Sequence, residues 1–275
     1  MKKFAVFGNP IAQSLSPTIH QMFAKQCDEV ISYEKISAPD DGFIEAAEAF
    51  LSQEGALGCN VTMPFKLDAY NFARVEDKAA QDAKAVNTLM KTTNGEVLGF
   101  NTDGVGLVND LINNGAKLAG ASVLLIGAGG AARGVIAPLL AAGVSTLTLA
   151  NRTLEKAQIV ADETAPGKVE VVSLSDIAMV KPTVVINSTA ASLHGELPCA
   201  LSSELFERCD VAYDMVYKAE PTVFLTEASK LGAKNTLDGL GMLVEQAAAA
   251  FTIWTEKQPD TKEVVVALRE LVSAQ

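Results

Sequence analysis

Two periods of apolar spacing alternate along this chain, one belonging to strands and one to helices. Residues 4–7 form a short uninterrupted apolar run, as expected of a buried strand, and lead into a loop that continues to Pro17. A second strand is predicted at 31–36, after which Phe43, Ile44, Ala47, Phe50 and Leu51 recur at helical spacing. Residues 57–62 predict a third strand, broken by Met63-Pro64-Phe65-Lys66 and followed by helical stretches rich in Ala and charge. Strand character returns at 85–90 and pairs with 97–100 across Thr93-Asn94-Gly95, an Asn-Gly hairpin signal. A helix over 104–114 then links this region to the next, and the domain boundary is placed near Asp103.

Beyond it, Val123-Leu124-Leu125-Ile126 runs straight into closely spaced glycines and a predicted helix over 131–142, with Pro138 its one irregularity. Strands follow at 146–150, 168–172, 183–187 and 211–214, with a helix at 153–164. Asp238 opens a long Ala-rich helix to about 254, and a last helix spans 261–271. Such alternation of strand and helix predicts an α/β fold with parallel sheet.

The glycine turn carries the first chemical reading. Gly127 permits a tight turn, Gly129 leaves room for a pyrophosphate against the backbone, and Ala132 lets the helix pack on its strand, giving G-x-G-x-x-A. The helix start offers free N–H groups to an anion. Alone, such a turn is equally a structural device. The strand at 146–150, however, ends in Asn151-Arg152-Thr153, where an NAD fingerprint would place Asp or Glu roughly 20 residues after the glycines. An arginine there suits a 2′-phosphate, so the expected cofactor is NADP; read by itself, Arg152 is a solvated residue at a helix start.

Composition narrows the class. The 275 residues are 49% hydrophobic, enough for one large or two ordinary cores. A net charge of −11 without a basic stripe argues against nucleic acid. Cys27, Cys59, Cys199 and Cys209 form no C-x-x-C pair and no zinc spacing, so buried free thiols and no metal are expected. Met1-Lys2-Lys3 and the apolar run after it are too short for a signal peptide, and no window approaches the ~18 apolar residues of a membrane span. The expectation is a soluble cytoplasmic protein acting on a small molecule.

Ser16 before Pro17 predicts a helix N-cap with proline in the first helical position. Ser14 and Ser16 hydroxyls beside helix N–H groups would seat a small carboxylate; the alternative is that Ser16 only caps and Ser14 is a loop residue. His20, inside that helix, is expected to be packed or on the surface, and His194 is given no role.

Seven ordered segments together resemble the shikimate dehydrogenase family over nearly the whole chain. They are Gly8-Asn9-Pro10-Ile11 with Ser14-Leu15-Ser16-Pro17, Asn60 through Lys66, Ala85-Val86-Asn87-Thr88, Asn101-Thr102-Asp103-Gly104, the stretch from Gly127 to Arg133, Asn151-Arg152-Thr153, and that from Asp238 to Gln246. The resemblance implies NADPH-dependent reduction of 3-dehydroshikimate to shikimate on the route to aromatic amino acids. It implies two α/β domains, the second a Rossmann-type doubly wound parallel sheet, with the active site in the cleft between them. The expected division is a substrate domain at 1–103, an NADP domain at 104–238 and C-terminal helices at 239–275 that return to the substrate domain.

Carried onto matching positions, the resemblance makes Ser14, Ser16, Thr62, Asn87, Asp103 and Gln246 the substrate set, with Tyr217 near the carboxylate. Lys66 becomes the acid/base, partnered by Asp103. Gly127, Ala128, Gly129, Gly130, Ala131, Asn151, Arg152, Thr153, Lys156, Thr189, Met215 and Gly239 become the NADP set. Two departures stand out: many members follow the Asn-(Ala/Ser)-Thr segment with Ser and a close Gly, whereas Ala190 and Ala191 follow here, and Lys156 replaces a common arginine. A lysine keeps the charge but gives up planar stacking.

The chemistry agrees, since hydride transfer to a ketone needs a proton donor beside the developing alkoxide, and an ammonium both stabilises and protonates it. Read singly, Lys66 is a solvated turn lysine and Asp103 the N-cap of the helix at 104–114. Two rival readings stay open: a quinate/shikimate dehydrogenase of broader specificity, possibly NAD-using, and a non-catalytic NADPH-sensing protein on the same fold. The chain is expected to be a monomer or homodimer.

Overall fold

The computed structural model describes residues 1–274. It comprises two compact units, one formed by Met1–Gly106 with Val244–Val266 and the other by Leu107–Leu243 with the chain from Ala267 onward.

In the first unit β1 (Lys2–Gly8), β2 (Ile31–Ser37) and β3 (Ala56–Val61) are parallel, and β4 (Thr88–Lys91) and β5 (Val97–Phe100) extend the sheet antiparallel, in the order β2-β1-β3-β4-β5. Strand side chains alternate faces. Ala5 and Phe7 join Phe43, Ala47 and Phe50 of α2 (Phe43–Leu51) in one cluster. Phe4 stacks at 4.5 Å on Trp254 of α10 (Leu240–Thr255), whose indole N–H donates to the Leu89 carbonyl at 2.9 Å. Both faces of β1 are thus covered over residues 4–7, which is why that stretch is continuously apolar. The unit also holds α1 (Ser16–Gln26), α3 (Lys66–Phe72) and α4 (Lys78–Ala83).

The second unit has six strands, all parallel: β6 (Ser122–Ile126), β7 (Thr146–Asn151), β8 (Val169–Ser173), β9 (Val184–Asn187), β10 (Val211–Asp214) and β11 (Asn235–Asp238), in the order β11-β10-β9-β6-β7-β8. Val123 and Leu125 of β6 pack in one cluster with Val135, Ile136 and Leu139 of α6 (Gly130–Ala141). Leu124 and Ile126 enter another with Phe206 of α8 (Ser203–Phe206) and Phe224 of α9 (Val223–Lys230). The winding reverses between β6 and β9, and in such sheets ligands bind beyond the carboxyl ends of the strands at that switch point. Gly127 leaves β6 there and Thr189 follows β9. The remaining helices are α5 (Asp103–Asn113), α7 (Leu154–Thr164) and α11 (Thr261–Ser273).

The α/β fold follows the expected strand and helix pattern, with three differences. β11, α8 and α9 carry no clear sequence signal; β11 is a short edge strand whose Asn235 and Thr236 are exposed. Of the four free thiols only Cys59 and Cys209 are buried, while Cys27 and Cys199 are partly exposed, so the expectation of uniformly buried cysteines is corrected. Third, α1 starts one residue earlier than expected: Leu15 is already near helical (φ −88°, ψ −5°) and is the N-cap, without a side-chain bond. Ser16 therefore does not cap; its own N–H is taken by Ser14 Oγ at 3.3 Å. Among the described residues no helix is long and apolar enough to cross a membrane, and no acid, His or Cys cluster could hold a metal.

Candidate active site

The turn after β3 places Lys66. Thr62 N–H donates to the Phe7 carbonyl at 2.9 Å, Phe65 N–H closes back on the Thr62 carbonyl at 3.0 Å, and the buried Phe65 ring stacks on Phe43 at 5.3 Å. α3 begins at the next residue, so a packed aromatic fixes the backbone that carries the lysine. Asp103 begins α5, oriented by its N–H to Asn101 Oδ1 at 3.0 Å. Lys66 Nζ donates to Asp103 Oδ2 at 2.6 Å, while Asn87 Nδ2 donates to Asp103 Oδ1 at 2.9 Å and approaches Gln246 Oε1 at 3.5 Å.

The Lys66 side chain is 32% and the Asp103 side chain 14% accessible. Ion pairs with that much solvent contribute roughly 0–1 kcal/mol to stability; here a solvent-reachable lysine nitrogen is held next to a carboxylate whose second oxygen is fixed. Asp103 uses both oxygens in this way, and the reading of it as only a helix cap does not describe the geometry. Ser14 and Ser16 stand at the start of α1 with their hydroxyl oxygens 3.2 Å apart, Ser16 buried and Ser14 half-buried.

The glycine turn of the second unit has the form its sequence predicts. Gly127 has φ +105°, and a Cβ there would lie 2.8 Å from Ser188 Oγ and Thr189 Cγ2, so no other residue fits. Gly129 and Gly130 are exposed, and a Cβ on either would meet nothing within 4 Å, which leaves the space in front of the α6 start open. Ala132 is fully buried beneath, and Ala131 is exposed at the helix start. Asn151 ties this turn to the end of β7, accepting from Ala128 N–H at 3.3 Å and donating to the Thr153 carbonyl at 2.9 Å.

Next to it lies a cavity of about 380 Å³ lined by Gly127, Asn151, Arg152, Thr153, Lys156 and Thr189, with Glu196 and Leu197 also on its wall. Arg152, Thr153 and Lys156 are exposed, and among the described residues neither cation has a hydrogen-bond or ion-pair partner. Two unpaired cations at one cavity in an acidic chain form a ready anion site. The Thr153 hydroxyl, at the N-cap of α7, makes no capping bond.

Thr189 is held by Asn187, whose Oδ1 accepts from its N–H at 3.1 Å and its hydroxyl at 2.8 Å. Met215 N–H donates to the Asn187 carbonyl at 2.9 Å, and a Cβ on Gly239 would come within 2.1 Å of the Met215 carbonyl oxygen, so this strand end packs too closely for a side chain. Tyr217 is half-buried just beyond; burial, and then Asp238, push its phenol above the ordinary value.

The sequence-derived residues thus fall into two groups. Ser14, Ser16, Thr62, Lys66, Asn87, Asp103 and Gln246 belong to the first unit, and the nucleotide set with Tyr217 belongs to the second. Sequence reasoning passed over Asp214, a fully buried carboxylate that accepts from Asn187 Nδ2 and Val216 N–H at 3.1 Å each and from the Ser192 and Thr222 hydroxyls at 2.6 Å each. Its only signal was an acid closing an apolar strand.

Comparison with known proteins gives one family. The family model of the shikimate dehydrogenase substrate binding domain matches residues 6–89, that of shikimate / quinate 5-dehydrogenase matches 110–195, and that of the shikimate 5′-dehydrogenase C-terminal domain matches 239–269. The shikimate dehydrogenase (NADP(+)) of Alteromonas mediterranea is 66% identical over 272 residues, 99% of this chain and 98% of its own. The protein of the same name from Photobacterium profundum is 50% identical over 273 residues, 99% of each chain. The crystal structure of shikimate 5-dehydrogenase from Thermus thermophilus, in complex with NADP(H) and shikimate, aligns with a TM-score of 0.87 at 32% identity, covering 98% of this chain and 99% of its own.

Proposed function

The chain belongs to the shikimate dehydrogenase family, and we propose that it reduces 3-dehydroshikimate to shikimate reversibly with NADPH, Lys66 acting as acid and base and Asp103 as its partner. It is an NADP-dependent oxidoreductase, and the step serves chorismate and aromatic amino-acid biosynthesis. The residues of the second unit fit the cofactor: the positive-φ Gly127, the open space before Gly129 and Gly130, and the unpaired Arg152 and Lys156 at their cavity suit a pyrophosphate and a 2′-phosphate. Gly127 to Ala131 would take the pyrophosphate, Arg152, Thr153 and Lys156 the 2′-phosphate, with Asn151, Thr189, Met215 and Gly239 completing the set.

When bound, NADPH supplies the hydride that the substrate's carbonyl carbon accepts. Negative charge then develops on the carbonyl oxygen, and the Lys66 ammonium stabilises that charge and delivers the proton. In the oxidation direction the same nitrogen, unprotonated, takes the hydroxyl proton. Asp103 holds Nζ through Oδ2 and is itself held by Asn87 through Oδ1, so the ammonium has a fixed direction. Ser14 and Ser16 receive the substrate carboxylate by hydroxyl hydrogen bonds, and Thr62, Asn87, Asp103 and Gln246 its hydroxyl groups; Tyr217 joins this set on the family resemblance. The chain is proposed to work as a monomer or a homodimer. A cytoplasmic setting suits a reaction that draws on the cell's NADPH.

The observation that carries this reading is the 2.6 Å contact of a partly accessible Lys66 with Asp103. Lys66→Ala should lower kcat by about 10²–10⁴-fold, the usual share of general acid/base catalysis, with NADP affinity unchanged. Lys66→Arg should not restore it, because a guanidinium stays protonated. Parental kcat in Lys66→Ala would make Asp103 the first candidate instead. Assays with quinate beside shikimate, each with NADP and NAD, separate the broader-specificity reading, and NADPH binding without any turnover would favour a sensing protein.

A further inference from the structure

The first unit buries a run of polar side chains of which only Asn87 is assigned to the substrate. His20 and Thr88 are fully buried, and Asn60 and Asn87 are 6% and 3% exposed. Burying such groups is costly unless each finds its partner, so the order in which they are joined carries information.

That order is fixed by atoms whose roles cannot change. The backbone carbonyl of Asn87 can only accept, and it lies 3.3 Å from one side-chain terminus of Asn60, which must therefore be the NH2 group. The same NH2 group donates to Thr88 Oγ1 at 3.1 Å. Asn60 Oδ1 consequently faces the other way and accepts from the Tyr33 hydroxyl at 2.7 Å and from His20 Nε2 at 3.1 Å. His20 must then carry its proton on Nε2, which explains why its buried Nδ1 has no partner: it is left as a bare acceptor. Burial pushes the imidazole down to about 3, against the opposing pull of the Asn60 bond, so this arrangement is unchanged across neutral pH. The ring is also stacked on Tyr33 at 4.5 Å.

Because Thr88 Oγ1 already accepts from Asn60, its hydroxyl proton is directed onward, to Asn87 Oδ1 at 3.0 Å. Thr102 N–H, which can only donate, meets the same oxygen at 2.9 Å. The Asn87 amide is thereby locked with its NH2 group toward Asp103 Oδ1. We propose that Thr88 is a positioning residue for the reaction: braced by Asn60, its hydroxyl joins the Thr102 N–H in holding Asn87 Oδ1, and Asn87 in turn fixes the carboxylate of Asp103 that holds Lys66. This rests on the reading of Lys66 and Asp103 as the reacting pair.

Hydroxyl and methyl contributions separate at this position. Thr88→Val keeps the shape and loses the hydroxyl, whereas Thr88→Ser keeps the hydroxyl and loses a methyl group. With shikimate and NADP, Thr88→Val should lower kcat/KM for shikimate about 3-fold to 10-fold, the worth of one such hydrogen bond. Thr88→Ser should stay within about 2-fold of the parent, and KM for NADP should hold in both. Melting temperatures are recorded for every variant so that activities are compared between folded proteins, and Thr88→Ala serves as the hydroxyl-free variant should the valine not fold. Parental kcat/KM in the hydroxyl-free variant, or a loss in Thr88→Ser as large as in Thr88→Val, overturns the proposal. Lys66→Ala assayed alongside separates the two levels: if it loses turnover while Thr88→Val does not, only the positioning role fails; if it keeps turnover, the reacting pair fails and the positioning role with it.

Discussion

Replacing Arg152 by Ala isolates how the chain reads the cofactor's 2′-phosphate. Arg152 is exposed and has no protein partner among the described residues, so its removal breaks no bond of the fold and should leave the melting temperature unchanged. A charge-assisted hydrogen bond to phosphate contributes about 1.5–3 kcal/mol, or about 10-fold to 150-fold in affinity. Solvent around the side chain screens the charge, which moves the expected loss for NADP toward the low end, about 10-fold to 30-fold. Lys156 at the same cavity and the uncommitted Thr153 hydroxyl retain part of the site. NAD has no phosphate there, and its affinity should barely change. Calorimetric titration of both cofactors at low and high salt measures this, the gap between them narrowing as salt rises. An equal loss for NAD and NADP would show that Arg152 supports the fold instead of reading the phosphate, and no loss for either would remove it from the site.

Two further tests probe the buried polar groups. His20 has its folded value depressed to about 3 against an ordinary 6.5, so the unfolded chain binds more protons between those values; its contribution is full above pH 6.5 and falls away as pH drops toward 3, by up to about 1.4 kcal/mol per unit. Urea unfolding of the parent and His20→Gln between about pH 7 and 5 should show a shallower slope in the variant, and an identical slope would mean that another group sets it. Asp214→Ala strands the four donors that meet its carboxylate and should cost about 3–5 kcal/mol, raising KM for NADP more than for shikimate through Asn187 and Thr189; a loss under about 1 kcal/mol would show that those donors find other partners.

Residues 123–126 announced a strand running into the glycine turn, and the structure accounts for their unbroken apolar run by sending alternate side chains into two separate clusters. The Asn94-Gly95 hairpin was equally legible because Gly95 takes φ +87°, a local requirement that leaves a local mark. β11 was not, since a four-residue edge strand with exposed Asn235 and Thr236 buries too little to impose a pattern. At the candidate site, Lys66, Asn87 and Asp103 lay within short ordered segments and could be named through the family resemblance that those segments carry. The link from His20 and Tyr33 to Asn60 could not, because those partners are 40 and 27 residues apart in sequence and come from a helix and from two strands separated by β1, which meet only once the unit is folded. Ser16 was misplaced as a cap because Pro17 signals a helix start without saying whether one residue or two precede it.

The stacking of Trp254 on Phe4 has a consequence for the chain's synthesis. Trp254 and Phe251, which packs against Phe23 at 5.8 Å, come from the late segment of a unit whose sheet is built entirely from the first 100 residues. At about 5–20 residues per second the ribosome needs on the order of ten seconds to deliver them after β5 has emerged. Throughout that interval Phe4 of the nascent first sheet lacks its tryptophan and Phe23 of α1 lacks Phe251, a sticky face of the kind that chaperones cover. All six strands of the second sheet are translated before the tryptophan arrives, so the part of the protein that is made first is completed after the sheet that is made second.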